Sequence, residues 1–143
     1  MDCDDDGYTN AEECNDPNNP SDPEDPCSVP LQSGETLCDA INAAGELSAI
    51  GMADCDMDGV SNWLECNPPL GTPPTDPEDP CDNPYTTGNE VCDAITNGAT
   101  GLIGVDCDGG GVDDSVECDT DGTDPLDPCD DVLPGGTTLC DIV

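Results

Sequence analysis

The 143-residue chain contains no Lys, Arg, His or Phe. Its 35 Asp and Glu residues give a formal net charge of −35, and no basic side chain is available to neutralise them. Self-repulsion of this size opposes a compact state. We therefore expect cations from solution to neutralise the acidic side chains. The sign of the charge excludes nucleic-acid binding. Since the usual catalytic bases and cationic clamps are missing, we expect that the protein is not an enzyme.

Apolar side chains are also scarce. The only aromatic residues are Tyr8, Trp63 and Tyr85, and the hydrophobic fraction of 34% includes all twelve cysteines. A chain with so little core material usually needs disulfides or metal ions to fold. No apolar run approaches the ~18 residues of a membrane span, so no transmembrane segment is expected. The fifteen prolines exclude long helices and central strands.

The chain is a tandem repeat. Asp-Cys-Asp begins at Asp2, Asp54 and Asp106, 52 residues apart, which divides the sequence into repeats 1–53, 54–105 and 106–143, the last one truncated. Met1 directly precedes the first Asp-Cys-Asp, at the position that Ala53 and Val105 occupy at the end of the preceding repeats. We therefore expect the chain to be a piece of a longer array. Each repeat has four cysteines: Cys3, Cys14, Cys27 and Cys38; Cys55, Cys66, Cys81 and Cys92; Cys107, Cys118, Cys129 and Cys140.

This even cysteine count indicates a disulfide framework, and therefore an extracellular or cell-surface protein. Four cysteines allow three pairings within a repeat, and pairing between repeats is open as well. The proline pattern leaves room for one-turn helices around residues 11–14, 63–66 and 115–118, and for two turns near 37–44. We expect Gly98, Gly101 and Gly104 to weaken the corresponding helix of the second repeat.

Each repeat opens with an acidic segment that matches the twelve-residue calcium loop. Alternate carboxylates can reach one ion, glycine at position 6 permits the sharp turn, and position 7 offers its backbone carbonyl. Positions 1, 3, 5, 7, 9 and 12 are occupied by Asp2, Asp4, Asp6, Tyr8, Asn10 and Glu13; by Asp54, Asp56, Asp58, Val60, Asn62 and Glu65; and by Asp106, Asp108, Gly110, Val112, Asp114 and Glu117. We therefore predict at least three calcium ions, the third bound most weakly because Gly110 removes a carboxylate.

The loop motif is followed by Thr123-Asp-Pro-Leu-Asp-Pro-Cys129 and its counterparts. Together they resemble the bacterial thrombospondin type-3-like repeat of secreted and cell-surface proteins, over about half the chain. The resemblance implies a mostly irregular, elongated rod in which short helices and calcium loops are stapled by disulfides. It also implies a pairing of first with third and second with fourth cysteine: Cys3–Cys27, Cys14–Cys38, Cys55–Cys81, Cys66–Cys92, Cys107–Cys129 and Cys118–Cys140.

The Asp-Pro stretches supply further ligand candidates, or else they only build turns. These candidates are Asp22, Asp25, Asp76, Asp79, Asp124 and Asp127.

The leading functional hypothesis is a calcium-binding structural protein: a rod, stalk or filament subunit that Ca²⁺ and disulfides make rigid. Head-to-tail self-assembly of such repeats into a fibre fits the repeat pattern. The alternative is a calcium-dependent adhesin or a dockerin-like binding module. Thr72 and Thr75, next to prolines, are candidate acceptors for O-glycans.

Overall fold

A computed structural model describes residues 1–18, 20–131 and 135. In these ranges the chain is mostly irregular, with short helices and no β-strand, which confirms the predicted lack of regular structure. None of the helices described is long and apolar enough to cross a membrane. The α-helices are α1 Asn10–Asn15, α2 Leu37–Ala44, α3 Ala49–Met52, α4 Asn62–Cys66, α5 Gly88–Thr96 and α6 Asp114–Val116; a 3₁₀ turn spans Thr100–Leu102 and a π-helical turn Glu117–Asp121.

Hydroxyl side chains start the helices. Thr9, Thr36 and Thr87 each cap a helix by accepting a hydrogen bond from the backbone N–H three residues on. The acidic residue at that third position bonds back to the cap, so each start is a capping box. A capping box satisfies two backbone donors that would otherwise lack partners, which helps helices of one or two turns to persist in this proline-rich chain.

Helix α2 has the bounds that the sequence predicts. Its counterpart α5 has nine residues, one more than α2, so the glycines do not shorten it, and their effect on its stability remains a prediction. The reason is that α5 ends at Thr96, so Gly98 and the later glycines lie beyond it. Gly98 adopts a positive φ of 108°, a conformation that glycine reaches without strain.

The described chain divides into two compact units. The first comprises Met1–Cys55 and Val60–Glu78, and the second comprises Asp56–Gly59 and the chain from Asp79 onward. The boundaries of these units differ from the boundaries of the sequence repeats. Each one joins the second half of one repeat, with α2 or α5, to the helix that follows the acidic loop of the next repeat, α4 or α6.

The core of the first unit is built around α2. Leu37, Ala40 and Ile41 on α2 are buried together with Ile50 of α3. Trp63 and Cys66 of α4, which belong to the next repeat, pack against this cluster. The small core is therefore assembled from two successive repeats.

The second unit repeats this arrangement around α5. Val91, Ala94 and Ile95 of α5 are buried with Ala99 and Leu102. Tyr85, Cys107 and Cys118 pack against this cluster, the two cysteines again coming from the next repeat. The same rear-to-front packing thus occurs twice in the chain.

The disulfides connect the same successive repeats as the two cores do. Cys129 is disulfide-bonded, and the four bonds in which both cysteines belong to the described residues are Cys27–Cys55, Cys38–Cys66, Cys81–Cys107 and Cys92–Cys118. The third cysteine of one repeat thus bonds to the first of the next, and the fourth to the second. Each bond closes a loop of 26 or 28 residues and, by restricting the unfolded chain, contributes about 3 to 4 kcal/mol.

The pairing that the resemblance implied differs from this at every position that the structure describes. Cys3–Cys27, Cys14–Cys38, Cys55–Cys81, Cys66–Cys92, Cys107–Cys129 and Cys118–Cys140 are not formed, because one or both cysteines of each pair bond to another repeat or remain thiols. The physical reason is the packing of the helices. Helices α2 and α5, which carry the fourth cysteines Cys38 and Cys92, pack against residues of the next repeat. Cys140 itself lies outside the described residues.

The core of the first unit gives a test of this packing. Ile41→Ala should lower the free energy of unfolding by about 2 to 5 kcal/mol, because Ile41 is fully buried. Leu47→Ala is the matched control, since Leu47 is 83% exposed and should change stability by less than about 0.5 kcal/mol. Urea denaturation of the oxidised protein measures both. Equal effects of the two substitutions would contradict the assignment of the core.

Candidate metal-binding loops

Acidic side chains converge at three places. One carboxylate oxygen from each of Asp2, Asp4 and Asp6 lies within 4.8 Å of the others, and the same holds for Asp54, Asp56 and Asp58 and for Asp106, Asp108 and Asp131. Eight of these nine residues are the predicted carboxylates at positions 1, 3 and 5 of the loops. Oxygens this close could bind one metal ion together, since calcium takes six to eight oxygen ligands at 2.3–2.6 Å.

The three loops have the same backbone conformation at two positions. Position 4 has a left-handed φ, at 58° for Asp5, 61° for Met57 and 78° for Gly109. Position 6 is glycine in each loop, with φ between 97° and 103°. The glycine is required there because other residues reach such angles only with strain. Gly109 likewise removes strain that Asp5 and Met57 carry at position 4.

Position 1 anchors the loop through backbone hydrogen bonds. The Asp2 carboxylate accepts from the N–H groups of Asp5 and Gly7, at 2.8 and 3.3 Å. In the third loop the Asp106 carboxylate accepts from Gly109 and Gly111, at 2.8 and 2.9 Å. These bonds coil the chain so that alternate side chains point to one centre.

The glutamate at position 12 is buried in each loop. Glu13 and Glu117 have no exposed surface, and Glu65 is 1% exposed. A hydroxyl group fixes each glutamate at 3.2 Å, with Ser21, Thr75 and Thr123 donating to Glu13, Glu65 and Glu117 respectively. Sequence reasoning missed these hydroxyl residues. Their signal was present, because a Ser or Thr precedes Asp-Pro in every repeat.

Position 9 closes the loop on itself. The side-chain oxygens of Asn10, Asn62 and Asp114 accept from the backbone N–H of Cys3, Cys55 and Cys107, at 3.0 to 3.1 Å. This bond ties the ninth residue of the loop to the second. The direct contribution of position 9 to metal binding, and that of the carbonyls of Tyr8, Val60 and Val112, remains a prediction.

Burial without a positive partner raises the pKa values of several carboxylates of the first and third loops. Desolvation raises the pKa of Asp6 to about 6 and that of Asp114 to about 6, and the neighbouring carboxylates add to both shifts. Burial, and then the nearby Asp131 carboxylate, raises the pKa of Glu117 above its ordinary range. One oxygen each of Asp6, Glu13 and Glu117 receives no hydrogen bond from a described residue. These properties fit a metal ion, whose charge would compensate the buried carboxylates.

The third loop obtains its missing carboxylate from outside the loop. Gly110 stands at position 5, where the other loops have Asp6 and Asp58, and a Cβ atom built at Gly110 would overlap the carboxylate of Asp131. Asp131 is fully buried. The corresponding residues of the other repeats, two positions after the third cysteine, are Val29 and Asn83. Asp131 therefore replaces the position-5 carboxylate, and the lack of a side chain at Gly110 makes room for it.

Sequence reasoning missed Asp131 as well. The only signal in the sequence is a reciprocal change inside the chain: the repeat that loses an acidic residue at position 5 gains one two residues after its third cysteine. The proximity of these two positions becomes visible only once the chain is folded.

The Asp-Pro aspartates form turns. Each one is exposed and accepts a hydrogen bond from the backbone N–H two residues later, at 3.0 to 3.1 Å. These residues are Asp22, Asp25, Asp76, Asp79, Asp124 and Asp127. None of them belongs to an acidic cluster in the described part of the chain. Their role as further ligands remains a prediction.

Comparison with known proteins assigns no family. No family model, no curated protein and no solved structure matches the chain. The resemblance to thrombospondin type-3-like repeats therefore remains a prediction that rests on the motifs alone.

The raised pKa values predict how the metal-free protein responds to pH. Between about pH 4 and 6 the folded protein holds more protons than the unfolded chain, so the free energy of unfolding should fall as the pH rises. Asp6→Asn should flatten this slope more than the control Asp5→Asn, which removes an equal charge from an exposed position. Thermal unfolding of protein depleted of divalent ions measures both. A metal-free protein that gains stability over this range would contradict the prediction.

Asp131 gives a second test of the loops. Asp131→Asn should weaken metal binding at the third loop by at least about tenfold and leave the first two loops unchanged, because one charged ligand is lost. Asp130→Asn is the matched control, since Asp130 is exposed and accepts a hydrogen bond from the backbone of Asp124 that an amide oxygen can still accept. Calorimetric calcium titration separates the sites. Equal affinities in the two variants would remove Asp131 from the site.

Proposed function

We propose that this is a calcium-binding structural protein of the cell exterior, in which ions held by three loops make a disulfide-linked chain rigid. One observation supports the proposal above the others. Buried carboxylate oxygens, such as those of Asp6, Glu13 and Glu117, receive no hydrogen bond from the described residues, in a chain without a basic side chain. An uncompensated buried charge is costly, and a divalent cation is the available partner.

The donor set favours calcium. All predicted ligands are oxygens, from carboxylates, an amide or a backbone carbonyl, and the loops have no His or thiolate aimed at the cluster. Hard oxygen ligands in a flexible loop suit calcium, whereas magnesium demands a stricter octahedron and keeps its waters. Extracellular calcium modules bind with Kd of about 10⁻⁴ to 10⁻³ M, and we expect an affinity in this range for a protein of the cell exterior.

The disulfides support that location and a structural role. The described residues contain several regularly spaced disulfides, and disulfides persist in oxidising compartments. The bonds and the small cores link each repeat to the next, so that force applied along the chain passes through covalent staples and ion sites. Calcium at about ten times Kd adds roughly 1.4 kcal/mol per site, so disulfides set the baseline stability and calcium adjusts it.

A calcium titration of the oxidised protein tests the proposal. Native mass spectrometry should find three ions in millimolar calcium, and small-angle scattering should show a change in dimensions when a chelator removes them. Magnesium at the same concentration should produce a smaller effect. No bound ion, or scattering that is identical with and without chelator, would refute the proposal.

A pair of adjacent glutamates provides the matched variants. Glu13→Gln should lower the calcium affinity of the first loop at least about tenfold, because a buried carboxylate becomes a neutral amide. Glu12→Gln should leave it unchanged, since Glu12 is exposed and its oxygen bonds only to Thr9. Isothermal titration calorimetry compares the two. Identical affinities would show that Glu13 is not a ligand.

A further inference from the structure

The third loop gathers one carboxylate more than the first. Both loops have carboxylates at positions 1, 3 and 12, and Asp131 gives the third loop the carboxylate that Asp6 gives the first. The loops differ at position 9, which is the neutral Asn10 in the first loop and the acidic Asp114 in the third. The first loop therefore holds Asp2, Asp4, Asp6 and Glu13, whereas the third holds Asp106, Asp108, Asp114, Glu117 and Asp131.

The negative charge of Asp114 is not needed to close the loop. Its Oδ1 atom accepts a hydrogen bond from the backbone N–H of Cys107 at 3.0 Å. The side-chain oxygen of Asn10 accepts the equivalent bond from Cys3 at 3.1 Å. Because a neutral amide forms the same bond, loop closure does not account for a carboxylate at this position.

The second oxygen of Asp114 belongs to the acidic cluster. Asp114 has no exposed surface, and its Oδ2 atom receives no hydrogen bond from a described residue. Burial, and then the charges of Asp108 and Asp106, raises the pKa of Asp114. Asp114 therefore lies near those two clustered residues and adds its charge to theirs.

Two more buried carboxylates of the third loop lack hydrogen bonds. Both oxygens of Asp131 and one oxygen of Glu117 receive none from the described residues, and neither side chain has exposed surface. Asp131 lies in the cluster with Asp106 and Asp108. The chain has no basic side chain to compensate any of these charges. The third loop is thus a site of unusually high negative charge.

An added carboxylate favours an ion of higher charge. The attraction between a carboxylate and a cation is proportional to the charge of the cation, so each carboxylate stabilises a trivalent ion more than a divalent one. The mutual repulsion of the carboxylates and the entropy lost in ordering the glycines at 109–111 are the same for two ions of similar size. Both costs cancel in the ratio of the two affinities, which then depends on the number of carboxylates.

We propose that the third loop selects trivalent cations over calcium and that Asp114 sets this selectivity. Lanthanide ions are the class of ligand, because they are close to calcium in radius and take the hard oxygen ligands that calcium takes. The ratio of lanthanum affinity to calcium affinity should be at least about tenfold higher at the third loop than at the first. The inference rests on the proposed function in that it takes the loops to be metal sites.

A reciprocal exchange tests the role of position 9. Asp114→Asn gives the third loop as many carboxylates as the first, and Asn10→Asp gives the first loop as many as the third. Both variants keep an oxygen that can accept the hydrogen bond from the backbone of Cys107 or Cys3. Asp113→Asn is the matched control, since it removes the same charge from an exposed neighbour whose side chain makes no capping hydrogen bond.

Calorimetric titrations of the whole oxidised chain with calcium chloride and with lanthanum chloride measure the two affinities. In the unaltered chain, one equivalent of lanthanum should displace calcium at a concentration at least about tenfold below that needed at the other sites. Asp114→Asn should remove this difference, Asn10→Asp should add a second equivalent of the same kind, and Asp113→Asn should change neither.

Equal affinity ratios at all sites of the unaltered chain would overturn the inference. Loss of calcium and lanthanum affinity by the same factor in Asp114→Asn would overturn it as well, because a merely structural residue would have that effect. If circular dichroism shows that Asp114→Asn does not fold, Asn10→Asp decides the matter, since an unchanged ratio at the first loop would refute the effect of charge at position 9.

The outcomes also separate this inference from the proposed function. Three bound calcium ions with equal affinity ratios would support the function and overturn the inference. Lanthanum binding that Asp114→Asn weakens at least about tenfold, in a chain that binds no calcium at millimolar concentration, would support the inference and refute the function. Binding of neither ion would refute both.

Discussion

The structure depends on carboxylates that are buried without any positive side chain to compensate them. In most proteins a buried carboxylate pairs with Arg, Lys or His, or it is neutralised by a raised pKa. This chain has none of those residues, and burial raises the pKa values of Asp6, Asp114 and Glu117. The negative charge of the loops could therefore be compensated by protons at low pH or by a metal ion at neutral pH.

The second constraint is the small amount of apolar surface. Each of the two cores contains only five buried hydrophobic residues, which are gathered around α2 or α5. The buried residues of each core come from one sequence repeat, and partly buried residues of the following repeat pack against them. The disulfides connect the same pairs of halves. Hydrophobic packing and covalent cross-linking thus reinforce each other at each junction between repeats.

Much of the local structure could be predicted from sequence, because it depends on local chemistry. The calcium-loop template predicts the carboxylates at positions 1 and 3 that the structure brings together in all three loops, and the predicted bounds of α2 are those observed. The disulfide pairing could not be predicted, since four cysteines per repeat fit several connectivities. The packing of α2 on α4 decides among them, and packing is a property of the folded chain.

Asp131 was unpredictable for the same reason. Its role depends on where the turn after Cys129 comes to lie, and the sequence separates it from its loop by the whole Asp-Pro stretch. In the sequence, Gly110 indicates the loss of the carboxylate at position 5. In the folded chain, its lack of a side chain leaves a space that Asp131 fills.

The Asp131 carboxylate makes the third cluster depend on a distant part of the chain. The first two loops draw their clustered aspartates from one short stretch of chain each. The third is complete only while the segment after Cys129 stays folded against it. A displacement of the segment that carries Asp131 would therefore remove one carboxylate from the third cluster and leave those of Asp106 and Asp108 in place.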